Sequence, residues 1–353
     1  MMFKKIIKST AIACATLIAL SATGCSDKSW AVKVNNVKIP VGIYVSYLYI
    51  NRENVLYQAS QSSSSTNALT GAASSSSDPW SQKIDNQTAY NWSINNALKS
   101  TEEFAVAGEL CAKKKITLTA DENKNLASYA SQYMTQNTGF ASNGITQASI
   151  EKYLSFYGLL MPLLINAYYG KSGENPVSDT DLKNYYTANF ADIKQIYLTT
   201  IDDQGNALPD DQQKTIKAQA DSIFAGLNAD KTKFSVLQTQ YDQDVNGAKA
   251  NPAGYIFAKD ESQLPASIFV NTAFTMNVGD VKEIQSDYGW HIIYKVTSDT
   301  SDSIYNDTMK TQVLQEMKSG DVMKLIDDNL AKAKVVKNEA AINHYNPKNL
   351  KDK

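Results

Sequence analysis

With 353 residues the chain has room for about two domains, and a hydrophobic content of 43% can build a core. Its formal net charge of -2 leaves no basic excess, which excludes the electrostatic footprint of a nucleic-acid partner. The only histidines, His291 and His344, lie near no cysteine, no glycine-rich phosphate loop follows a strand, and no Gly-x-Ser-x-Gly elbow occurs. No metal and no cofactor is therefore expected.

The chain opens with Lys4, Lys5 and Lys8, an apolar run from Ala11 to Leu20, and then Ser-Ala-Thr-Gly ending at Cys25. A basic start, a short apolar core and small residues describe an export signal, and the run is too short to span a bilayer. Because a cysteine follows the small residues directly, the segment resembles a bacterial lipoprotein signal, with Ala22 where such signals prefer Leu. That resemblance implies that residues 1–24 are removed and that Cys25 is lipidated, anchoring the protein to the outer face of the cell membrane. Cys14 would then be lost, and Cys111 would remain as a lone thiol with no disulfide partner.

Beyond a spacer at 25–30, Val32 and Val34 alternate with lysine, Asn35-Asn36 can turn, and Val37 and Ile39 resume the alternation, which predicts a hairpin. Tyr44, Tyr47 and Leu48 follow at helical spacing. Residues 58–81 are dominated by Ser, Ala, Thr and Asn, too polar to offset ordering entropy, and are expected as a mobile loop. A long helix is expected from about Ile84 to Lys114, a capping box at Thr119-Ala-Asp-Glu122, and a core helix from Ser149 to Ala167 containing the most apolar run of the mature chain, Tyr157 to Ile165. Gly170 to Pro176 reads as a linker.

Next, Ser178-Asp-Thr-Asp181 caps a helix, Ile193 to Leu198 alternates as a strand, and helices are expected at Gln212–Leu227 and Phe234–Tyr241. Gly254-Tyr-Ile-Phe257 is another strand. Pro265 can open a helix carrying Phe269, Ala273 and Phe274, Asn277 to Gly279 is a turn, and the strand after Tyr288-Gly289 sends His291 and Ile293 to one side and Ile292 and Tyr294 to the other. Ser303 to Ala333 reads as a long helix, followed by a short strand at Ala333–Val336.

Two stretches carry a family resemblance. Val34-Asn-Asn-Val-Lys-Ile-Pro40 before a helix resembles the start of exported chaperone-isomerases of the SurA and PrsA kind. Leu264-Pro265, Phe269, Ala273-Phe274, Gly279-Asp280-Val281 and Gly289-Trp290-His291-Ile292-Ile293 resemble, in order, the last part of a parvulin-type peptidyl-prolyl isomerase domain. The resemblance implies an α+β protein: a mostly helical chaperone-like domain at 31–175, completed by a C-terminal helix and tail at 299–353, with a linker helix at 176–191 and an inserted parvulin-like domain at 192–298. It implies floor groups at His291, Asp244 and Ser286, with Gln195 where parvulins carry a histidine on the first strand. It also implies a grip on proline from Leu264 and Phe269, with Phe257 and Tyr288 beside it. The partners expected are unfolded exported proteins, the membrane through Cys25, and a second copy of the chain as a candidate. The activity implied is prolyl isomerisation; the rival is a catalytically inactive binding lipoprotein, because Gln195 cannot reproduce a paired imidazole network.

Overall fold

The structure, a computed structural model, describes residues 29–64, 78–244, 254–259, 267–297 and 305–352, without the side chains of residues 61–64, 267 and 269. These residues fall into two compact units, divided between Pro176 and Val177 and again between Met317 and Lys318.

The first unit opens with an antiparallel hairpin, β1 (Trp30–Val34) and β2 (Val37–Pro40). Asn35 turns it in the left-handed region (φ 52), which a short polar side chain tolerates. Helix α1 (Val41–Ser64) buries Ile43, Tyr44, Leu48 and Val55. It continues through residues 58–64, where the polar composition predicts a loop. Once packing has nucleated a helix, Gln, Ala and Ser extend it at little cost. Residues 65–77 lie outside the described residues. The end of the expected loop is anchored: Trp80 is 8% exposed in a 3-10 turn at Pro79–Ser81, and Asp78 accepts its backbone N–H.

The expected helix from Ile84 is also corrected. Strands β3 (Lys83–Ile84) and β4 (Gln87–Thr88) form a two-residue hairpin over Asp85 and Asn86, both with positive φ, and only then does α2 (Ala89–Lys113) begin. Thr88 caps it by accepting the Asn91 N–H at 3.2 Å. Helix α3 (Ala120–Gln136) carries the expected capping box, with Thr119 and Glu122 each accepting the other's backbone N–H. Helix α4 (Gln147–Ser155) passes through a π turn at Phe156–Leu160 into α5 (Met161–Tyr169). Pro162 has no N–H to give to the preceding turn, and the wider π turn absorbs that gap. Phe104, Phe140, Phe156, Leu160 and Leu164 are buried. Among the described residues no helix is long and apolar enough to cross a membrane.

The second unit starts with α6 (Asp179–Asn189), capped by Ser178, and runs directly into β5 (Phe190–Thr199). The expected linker helix is α6, which packs within this unit: its Tyr186 is buried with ring contacts to Phe190 at 5.4 Å and Tyr305 at 5.1 Å. There follow α7 (Asp210–Ala229), α8 (Phe234–Tyr241), β6 (Tyr255–Ala258), α9 (Ser267–Thr275), β7 (Val281–Ser286) and β8 (Gly289–Val296). The strands form one antiparallel sheet in the order β6-β5-β8-β7. Alternation sorts its two faces. Ile196, Leu198 and Ile292 pack with Ala220, Ile223, Leu227 and Phe234 from α7 and α8, whereas Ile193, Phe257 and Ile293 pack with Val270 and Ala273 of α9 and with Met276.

Helix α10 (Asp307–Leu330) begins in the second unit and ends in the first; the residues expected to open it, 303 and 304, lie outside the described residues. Strand β9 (Val335–Lys337) then pairs with β1, giving a three-stranded sheet in the order β2-β1-β9, and α11 (Glu339–Asn343) follows. The first unit is thus built from both ends of the chain, with the sheet-bearing unit inserted between them.

At the β7–β8 turn, a Cβ on Gly289 (φ 155) would collide with the carbonyl oxygen of Leu198. Gly289→Ala is expected to destabilise the second unit by about 2 to 4 kcal/mol, read as a lowered urea midpoint for its unfolding step.

Candidate functional site

The site lies on the face of the sheet that α9 covers in part. Register places Tyr197 opposite His291 across β5–β8, Gln195 opposite Ile293, and Ile284 of β7 on the other side of His291. Period two therefore brings Gln195, Tyr197 and His291 to one face.

Past α8 the chain runs beside β5 without becoming a strand. Gln243 donates its N–H to the Tyr197 carbonyl at 2.9 Å, Asp242 accepts the Tyr197 N–H at 2.8 Å, and the Gln243 side chain accepts the Thr199 N–H at 2.7 Å. These bonds carry Asp244 up to Gln195, whose Nε2 donates to Asp244 Oδ2 at 3.3 Å. From the edge strand β6, Tyr255 donates its hydroxyl to the same oxygen at 3.0 Å.

The polarity of the remaining bonds follows from donor and acceptor counts. A carboxylate only accepts, so Gln195 turns its NH2 to Asp244 and its Oε1 to His291, 3.2 Å from Nδ1. His291 then carries its proton on Nδ1, and Nε2 accepts the Ser286 hydroxyl at 2.8 Å. Ser286 Oγ in turn accepts the Tyr288 N–H at 3.2 Å. The Tyr197 ring stacks on the imidazole at 4.8 Å and 22°, and its hydroxyl donates to the Tyr288 carbonyl at 2.8 Å.

His291 is 6% exposed. Burial drives its pKa from the ordinary 6.5 down to about 4, and the nearby Asp244 charge recovers only part of that drop. Burial, and next the bond to Asp244, push the Tyr255 phenol upward. The network therefore holds an uncharged imidazole in a single tautomer, with no lysine or arginine among its members. Such a site suits a neutral polar group such as an amide better than an anion. Among the described residues no cluster could hold a metal ion.

The structure brings together all four expected floor positions, His291, Asp244, Gln195 and Ser286, in one hydrogen-bonded line. Asp244 does not lie open beneath a ligand, because it is turned to Gln195 and Tyr255. Tyr288 is 49% exposed at the rim and fixes Tyr197 and Ser286 through its backbone. Phe257 corrects its expected place in the grip: it is 4% exposed and packs edge-on against Phe274 in the core under α9. Leu264 and Pro265 lie outside the described residues, as does the side chain of Phe269, and so does Cys25. The sequence reading missed the site roles of Tyr197 and Tyr255. Tyr197 was findable, two residues beyond Gln195 on the same strand; Tyr255 depends on edge pairing that no local pattern specifies.

Because the folded pKa of His291 lies below the unfolded one, its neutral form contributes stability in full above pH 6.5, and that contribution is lost as pH falls through about 4. Expected by NMR titration is an imidazole that stays neutral at pH 5. The His291→Gln variant should lack the part of the acid destabilisation that the imidazole causes between those values, about 3 kcal/mol.

Residues 183–300 match the family model for the PPIC-type PPIase domain. No curated protein matches the chain. Among solved structures, similarity is found to the foldase PrsA of Streptococcus pneumoniae (17% identity, 73% of this chain and 91% of that one, TM-score 0.37). It is also found to PrsA of Lactococcus lactis (14%, 89% and 96%, TM-score 0.36) and of Bacillus subtilis (20%, 70% and 87%, TM-score 0.30). The sequence pattern around His291 and the family match thus agree, and residues 183–300 are a domain of the PPIC-type PPIase, or parvulin, family.

Proposed function

We propose that this chain is an extracytoplasmic folding factor, tethered through an acylated Cys25, whose parvulin-type domain rotates X-Pro bonds in exported polypeptides. The observation that carries the reading is the uncharged His291, locked between Gln195 and Ser286 on the sheet of a domain matched by the PPIC-type model.

Rotation about an X-Pro bond faces a barrier of roughly 18 to 20 kcal/mol, set by amide resonance. No covalent bond breaks, so no nucleophile and no net proton transfer are needed. What lowers the barrier is an environment that binds the twisted imide better than the planar one, each 1.4 kcal/mol of preference being worth about tenfold in rate. As the imide twists, its carbonyl and nitrogen lose conjugation and become a more ordinary ketone-like oxygen and amine-like nitrogen. Fixed neutral dipoles can meet both without reorganising. Gln195 supports this reading because a carboxamide, like an imidazole, accepts on one side and donates on the other. The apolar grip would come from α9, with Phe269 as its proposed contact and Tyr288 at the rim.

Export is supported by the basic, apolar and small-residue succession from Lys4 to Cys25. A client-holding role for the helical unit is supported by its exposed tyrosines, Tyr57, Tyr129 and Tyr157. The same Gln195 that keeps the network continuous also favours a second reading, a silent parvulin-type domain that only binds extended clients.

A protease-coupled assay with a short X-Pro peptide separates the two. The isomerase reading expects a wild-type rate above background, a loss of about tenfold or more in His291→Ala, and a rate in Gln195→His at least equal to wild type. A wild-type rate at background, with aggregation of an unfolded client still suppressed, would leave only the binding reading. Cys25→Ala is expected to move the chain from the membrane fraction to the soluble fraction; unchanged membrane retention would remove the acyl tether.

A further inference from the structure

The line of side chains from β6 to β7 has one end that decides its direction. A neutral imidazole has two tautomers, and a carboxamide can be turned end for end, so neither Gln195 nor His291 orders the chain by itself. Asp244 does, because it can only accept. Its Oδ2 receives two donors, Gln195 Nε2 at 3.3 Å and the Tyr255 hydroxyl at 3.0 Å.

Tyr255 is held in place independently of the site. It is paired with Ile193 in the ladder, and Gly254 just before it (φ 124) lies so close to β5 that a Cβ would stand 2.7 Å from both the Ile193 carbonyl oxygen and Asp192 Oδ1. The strand edge thus brings a phenol of fixed position to a carboxylate carried on an irregular segment.

We infer that Tyr255 is a positioning residue: its hydroxyl fixes the Asp244 carboxylate, and through it the orientation of Gln195 and the Nδ1–H tautomer of His291. Its hydroxyl bonds the Asp244 carboxylate and not the imidazole. The effect on the imidazole follows from the hydrogen bonds alone. Its consequence for turnover rests on the isomerase reading.

The test uses the processed full chain, residues 25–353. His291 and His344 are the only histidines, so the imidazole nitrogens can be observed by long-range nitrogen–proton NMR and assigned with His344→Gln. Wild type is expected to show His291 protonated on Nδ1 alone. Tyr255→Phe is expected to show both tautomers and a fall in kcat on the order of fivefold with little change in KM. Asp244→Ala should do the same, and adding Tyr255→Phe to it should cost nothing further; losses that multiply would mean that Tyr255 acts by packing and would overturn the inference. So would a Tyr255→Phe protein that keeps a pure Nδ1–H imidazole. Should Tyr255→Phe fail to fold, Asp244→Asn decides the matter, since an amide can donate to Gln195 Oε1 and let the Nε2–H form appear; persistence of Nδ1–H alone there would sink the relay. Absence of wild-type turnover would count against the isomerase reading and leave the tautomer measurement standing.

Discussion

Everything at the site depends on one register, the antiparallel pairing of β5 with β8. Tyr197 opposite His291 puts a ring against the imidazole, and Gln195 two residues earlier falls within reach of Nδ1. A slip of one residue would exchange His291 for Ile292 and turn the whole set toward α7. Register is protected by apolar content on both faces, with Ile196, Leu198 and Ile292 on one side and Ile193 and Ile293 on the other. Each such buried side chain contributes about 1.5 to 3 kcal/mol, so a slipped sheet would forfeit more than the polar network could return.

The polar line costs stability in its own right. His291 is held neutral against its ordinary tendency to charge, and Asp242 and Gln238 are buried against the backbone of β5. Hydrogen bonds to β5 offset part of that cost: Gln238 donates to the Gln195 carbonyl, and Asp242 accepts the Tyr197 N–H. The segment from Asp242 to Asp244 thereby takes the place of a strand neighbour along Tyr197–Thr199 and brings the Asp244 carboxylate to Gln195 and Tyr255.

Much of this was legible from residue patterns. Alternation from Gly289 to Val296 foretold which side chains share a face, and Thr119 with Glu122 announced a helix start correctly. What escaped was of two kinds. Local composition misread residues 58–64, where a helix nucleated by buried Ile43, Tyr44, Leu48 and Val55 runs on into polar sequence, and the expected helix ran through Asp85–Asn86, two residues with positive φ that turn a hairpin. Long-range pairing hid Tyr255 and moved Phe257 inward. Both lie on a four-residue edge strand whose partner is about sixty positions earlier, a distance at which no periodicity speaks.

The pairing of β1 with β9 sets an order of assembly. Val32 and Val34 wait for Lys337 and Val335, and the Asn35 side chain accepts the N–H of Lys334, 299 positions further on. A chain that emerges N-terminus first must therefore carry an unfinished sheet edge until nearly its last residues have appeared, whereas the inserted unit has all its strands well before then. The inserted unit can settle early, and the loop it must close for its host is shortened by its own compaction. Until β9 arrives, the unpaired edge of β1 is open to pairing with a wrong strand.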